Sequence, residues 1–187
     1  MRVYKSLQSE PITEGEYSLV PIRDKDRYEI MNWRNEQIYH LRQAEPLTIE
    51  IQDAYFRHVI AELFEQQKPN QILFSFLKDE KCIGYGGLVH INWLDKNSEI
   101  SFLVDTELEK NHFGKYWLIF LRLIEQVAFD KLHFHKLFTY AFDLRPKLYP
   151  ILEEAGFQKE AVLRDHILFN GTYVDVVLHH KFNPNES

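Results

Sequence analysis

The residues best placed to do chemistry lie where a predicted strand ends at Asp105 and a polar segment, Thr106 to Phe113, leads into a predicted helix beginning at Gly114. A helix start leaves unpaired N–H groups pointing outward, and the macrodipole puts about half a positive charge there. Lys110 and Lys115 flank this point, which suits an anion such as a phosphate. The pattern alone fits an ordinary loop with solvated lysines as well. Gly84, Gly86 and Gly87 in one strand point to a bulge, or to a ligand or packed helix close to the backbone. His133 and His135 bracket a helix end, and His179 and His180 alternate across a strand, so neither pair predicts a metal site. Cys82, the single cysteine, excludes an internal disulfide or a multi-cysteine zinc site and reads as core.

The elements that must position these residues follow from periodicity and punctuation. A first strand is expected around Ser18 to Arg23, and Asp26 with Glu29 forms a capping-box pattern opening a short helix that ends near Asn35. Thr48 caps a second helix with apolar rows Ile51, Tyr55, Val59, Leu63 and Phe56, Ile60, Phe64. Gln71 to Leu77, Lys81 to Trp93 and Ser98 to Asp105 read as an antiparallel meander. Gly114 to about Leu132 is apolar on much of its circumference, which marks a buried central helix. Lys136 to Phe142 then closes a parallel βαβ crossover. A short helix ends at Gly156, with Pro150 disfavouring α geometry at Tyr149, and Asn170-Gly171 turns a final hairpin. The expected fold is α/β (α+β), a mixed, mostly antiparallel sheet of about seven strands flanked by about four helices, as one domain over residues 1–187.

Composition narrows the partners. Hydrophobic residues make up 45% and charged residues 27%, as in ordinary globular chains, and no run approaches the roughly 18 apolar residues of a membrane span. A cytoplasmic protein without a membrane or secretory segment is expected. The net charge of −6 argues against a nucleic-acid partner. The widely apolar central helix leaves room for a homodimer contact.

Several strings give the layout a name. Trp33-Arg34-Asn35, Ser98-Glu99-Ile100-Ser101-Phe102, Glu153-Glu154-Ala155-Gly156-Phe157, Arg164-Asp165-His166 and Tyr173-Val174-Asp175 resemble the GNAT superfamily of N-acetyltransferases over roughly residues 17 to 182. The likeness is greatest to its branch of ribosomal-protein N-terminal (RimJ/RimL-like) and aminosugar acetyltransferases. The resemblance implies acetyl-CoA as co-substrate, no metal, and direct acetyl transfer to a small-molecule amine or a protein N-terminus. Nucleotide-linked aminosugars are narrowly favoured, because Arg34 and Arg145 would each meet a phosphate. Its acyl-CoA loop falls on Glu109-Lys110-Asn111-His112-Phe113-Gly114, where only Gly114 agrees with the family pattern; Lys115 follows, and Phe102-Leu103-Val104 would hold the pantetheine.

In such enzymes the amine attacks the thioester directly. A lysine-like amine is neutral about once in two to three thousand molecules at pH 7, an α-amine roughly a tenth of the time, so a base matters most for the first. Glu99 is the expected base, acting through water, with His90 next. Relatives place a proton-donating Tyr or Ser where this chain has Leu152 and Leu148, which leaves Tyr149 as the nearest phenol. Trp33 and Arg34 fall where relatives border the acceptor. The altered loop and missing donors also admit a non-catalytic module of the same fold that binds CoA or a nucleotide.

Overall fold

The computed structural model describes residues 2–7 and 10–186. Ile12–Glu14 (β1) and Tyr17–Pro21 (β2) make a hairpin turned at Gly15, whose φ of 58° suits glycine. Arg27–Glu36 (α1) follows. The next helix, α2, runs from Ile49–Ala54 through a π-helical turn at Tyr55–Ile60 into Ala61–Glu65. The meander is Ile72–Lys78 (β3), Lys81–Asn92 (β4) and Asn97–Val104 (β5). Thr106–Glu125 (α3) leads through a π turn to Lys136–Phe142 (β6). Tyr149–Glu154 (α4) and the hairpin Gln158–Phe169 (β7) and Thr172–Phe182 (β8) end the fold. The eight strands form one sheet in the order β1-β2-β3-β4-β5-β6-β8-β7, mixed and mostly antiparallel as expected, with β1 as the added strand. No helix among the described residues is long and apolar enough to cross a membrane.

Four local expectations are corrected. The capping box does not form: Asp26 is buried, and its carboxylate accepts from Arg23 and Ser75 instead of from helix N–H groups. On α2, Thr48 caps as expected, accepting from Ile51 N–H at 3.3 Å. Ile51 and Val59 nevertheless face solvent while Phe56, Ile60, Leu63 and Phe64 are buried. The π turn shifts the phase of the apolar row between its two halves. Tyr149 is α-helical despite Pro150, because Pro150 sits in the first turn, where a missing N–H costs nothing.

The fourth correction concerns the segment before Gly114. Thr106 to Asn111 is helical, because the Asp105 carboxylate caps it by accepting from the N–H groups of Glu107 and Leu108. The helix breaks at His112 (φ −141°, ψ 30°) and resumes at Phe113, so the expected helix start survives as a kink. The apolar girth of α3 is used inside the chain. Phe120, Leu121, Leu123 and Ile124 are fully buried, which removes the reason for expecting a homodimer contact there.

One feature of the sheet positions the site. β5 and β6 pair in parallel only from Asn97↔Lys136 to Glu99↔Phe138. Beyond that point β5 continues beside β4 to Val104, and β6 beside β8 to Phe142. The sheet therefore splits, leaving two facing strand edges with unpaired backbone groups. Phe102, just past the split, stacks on Phe120 of α3 at 4.0 Å and meets the Trp117 ring edge-on at 5.1 Å.

Candidate active site

The split opens into a cavity of about 480 Å³, lined by Ile100, Ser101 and Phe102 of β5 and Thr139, Tyr140, Ala141 and Phe142 of β6. Its size and mixed lining are those of a small-molecule site.

Glu99 sits at the last β5–β6 pair, with only 8% of its surface exposed. Its Oε2 accepts from His90 Nδ1 at 2.8 Å and its Oε1 from Arg42 Nη2 at 2.7 Å. His90 reaches it from a β-bulge, where the β4–β5 register shifts between Val89 and Asn92. Its φ of 49° is a left-handed conformation that a histidine adopts at a cost. The bulge aims the ring at Glu99, and a carboxylate accepting from Nδ1–H leaves Nε2 as the ring's acceptor. Arg42 also lies over the Tyr140 ring, 4.1 Å from its centre.

Arg42 belongs to a segment without periodicity, and Arg34-Asn35 holds that segment down. Asn35 Oδ1 accepts from Leu47 N–H at 2.7 Å, and Asn35 Nδ2 donates to Leu47 O. Arg34 Nε donates to Gln43 Oε1 at 2.9 Å and its Nη1 to the Tyr85 hydroxyl at 2.5 Å. Gln37 is buried and donates to Val104 O at 2.8 Å, tying the end of α1 to the end of β5. His40 lies in the same segment and lines the cavity; burial and then the Arg145 charge push its imidazole down to about 3. It is a neutral ring at neutral pH. Sequence reasoning missed Arg42 and His40 because they carry no periodic signal; the signal available was the Trp33-Arg34-Asn35 string that clamps their segment.

The other expected residues divide. Arg34, Arg145 and Phe102 line the cavity; Trp33, Leu103 and Val104 are core residues outside its lining. Tyr149 does not line it either. Its hydroxyl donates to Asp143 Oδ1 at 2.7 Å, its ring stacks on His179, and burial and then Asp143 push the phenol above its ordinary value. Both effects make it a poor proton donor.

The helix start is also rearranged. Lys110 pairs with Glu107, Asn111 donates to Glu107 O, and Lys115 lies near the Tyr17 and Tyr116 rings. His112 is the kink and Gly114 faces Ile151: a Cβ on Gly114 would meet that side chain at 3.5 Å, an ordinary contact. Arg145 and Lys147 also lie near the kink, both over the Phe113 ring, with Lys147 Nζ donating to Glu109 at 2.9 Å. The three glycines of β4 are structural. A Cβ on Gly86 would lie 2.2 Å from Ser101 O and 2.8 Å from Phe120, so neighbouring strand and helix, not a ligand, demand it. Cys82 is core as expected, its thiol pushed up to about 12 by burial.

A mixed sheet split beside a kinked helix, with an acid–histidine pair at the fork, defines an acyl-transferase-like cleft. The chain belongs to the GNAT acetyltransferases: the acetyltransferase (GNAT) domain model matches residues 19–178. Its reaction class is N-acetyl transfer with acetyl-CoA as co-substrate. Among solved structures, it is similar to the spermidine N-acetyltransferase from Vibrio cholerae in complex with CoA and spermine, at 19% identity and TM-score 0.78, over 91% of this chain and 97% of that one. The dodecameric structure of that enzyme in an intermediate state matches at 20% identity and TM-score 0.73, over 91% and 95%. Among curated proteins no match was found.

Proposed function

We propose that this protein acetylates the primary amine of a small molecule that also carries a phosphate or carboxylate, with nucleotide-linked aminosugars narrowly ahead of protein N-termini. The observation that carries this reading is the charge of the cavity. Arg34, Arg42 and Arg145 line it, whereas Glu99 is its one acidic residue among those described and is already bonded to Arg42. This cationic lining belongs to a chain of net charge −6, so it is a local feature. A polyamine, the acceptor named for the structural neighbours, is a cation and would meet arginines where it needs carboxylates.

Acetyl-CoA, when bound, supplies the acyl thioester. The open edges of β5 and β6 offer backbone groups to an extended amide-bearing chain, and Lys147 beside the kink offers charge to its phosphates. His90 Nε2 takes the proton of the attacking amine, while Glu99 fixes the ring through Nδ1–H. This ordering gives His90 the proton transfer and Glu99 the positioning. Arg34, held by Gln43 and Tyr85, anchors the acceptor's anionic group.

The test is thermal unfolding with acetyl-CoA, followed by thiol release with a nucleotide-linked aminosugar, an N-terminal peptide and spermidine. Ligand at about 100 times its dissociation constant should stabilise the fold by about 2.7 kcal/mol. Faster turnover of spermidine than of both other acceptors would overturn the anionic-acceptor reading. Binding without thiol release from any amine would favour the non-catalytic module.

A further inference from the structure

We propose that Thr139 stabilises the thiolate that leaves in acetyl transfer, taking the place of the donors this chain lacks; this rests on the acetyltransferase reading above. Leu152 and Leu148 have no proton to give, and the Tyr149 hydroxyl is committed to Asp143. Thr139 is only 3% exposed and lines the cavity, and its Oγ1 has no hydrogen-bond partner. A buried hydroxyl without a partner is costly, so native structures keep few of them. Among the described residues, it is the one hydroxyl of the cavity lining that is both buried and unpartnered.

Its position matches the role. Thr139 is the first residue of β6 after the last β5–β6 pair, at the fork itself. Side chains alternate along a strand, so Thr139 projects opposite to Phe138 and Tyr140. Tyr140 packs under Arg42 on the Glu99 side, which puts the Thr139 hydroxyl on the other face, away from the base. Its cross-strand partner, His179, is 1% exposed, has two unpartnered ring nitrogens and stacks on Tyr149 of α4. An amine adding to the carbonyl carbon from the His90 side and a sulfur expelled from the tetrahedral adduct on the Thr139 side keep the proton acceptor and the hydrogen-bond donor apart, each beside the atom it serves. The Oγ–H donates a hydrogen bond to sulfur as the carbon–sulfur bond breaks. The thiolate keeps the electron pair and takes its proton from water after release.

The experiment compares Thr139→Val and Thr139→Ser with the natural protein, using CoA and desulfo-CoA at pH 9, above the ordinary thiol value near 8.5. Thr139→Val should weaken CoA binding about tenfold, leave desulfo-CoA binding unchanged and slow turnover, while Thr139→Ser should restore both. Because the hydroxyl has no partner in the free protein, Thr139→Val should hold or raise the unfolding temperature without ligand. Equal losses for CoA and desulfo-CoA, no loss for either, or a lowered unfolding temperature that Ser repairs would each make the hydroxyl structural and overturn the assignment. If the natural protein binds neither compound, the acetyltransferase reading fails first and takes this one with it.

Discussion

The Glu99 carboxylate bridges Arg42 and His90, accepting at 2.7 and 2.8 Å from two residues that lie 48 positions apart in the chain. Each partner arrives by its own device, the segment pinned by Asn35 and the bulge in β4. A carboxylate engaged on both oxygens is suited to orienting a histidine, which supports the proposed division of roles between His90 and Glu99.

His90→Gln should therefore lower kcat/KM by about 100-fold or more near pH 7. The defect should shrink as pH rises towards the amine's own value, because the acceptor then deprotonates unaided. Glu99→Gln should give a smaller loss with the same pH trend. A pH-independent defect in His90→Gln would remove the base assignment.

Arg34→Lys should raise the acceptor KM several-fold to about tenfold while acetyl-CoA affinity stays constant, since lysine cannot reproduce the fork that spans Gln43 and Tyr85. Steady-state kinetics with each substrate varied in turn separates the two effects.

Gly114→Ala should fold and bind acetyl-CoA as the natural protein does, because its Cβ would meet Ile151 at an ordinary 3.5 Å. Gly86→Ala should destabilise by about 1–3 kcal/mol or more, since Ser101 O lies 2.2 Å from the added carbon. Denaturant unfolding of both variants checks the contrast. A loss of cofactor binding in a fully folded Gly114→Ala would place phosphate against that glycine after all.

Acid stability should depend on His40. Its folded value, about 3, lies below the ordinary 6.5, so the unfolded chain binds a proton that the native ring refuses. This contribution is complete above pH 6.5 and is lost as pH falls from there towards 3. His40→Gln should flatten that limb relative to the natural protein, measured as unfolding free energy against pH.

Periodicity and turn chemistry made the meander, the crossover and the Asn170-Gly171 hairpin legible in the sequence, because those depend on which face is buried and on glycine's freedom at positive φ. The Glu99 and Arg34 strings were legible too, since their residue types and neighbours resemble a known family. The helix start misled because Asp105 could be read either as a strand end or as a cap, and only the packed chain chose the cap. Tyr149 and Trp33 carried the right chemistry, but their orientation depends on Asp143 and on the core, contacts that sequence spacing does not encode. The sequence by itself determined the strand and helix order and the family of the reaction. Tertiary structure alone decided that β5 and β6 part after Glu99, that Arg42 folds onto it, and that Thr139 is left without a partner at the fork. Pairing and burial join residues far apart in the chain, and no local pattern records them.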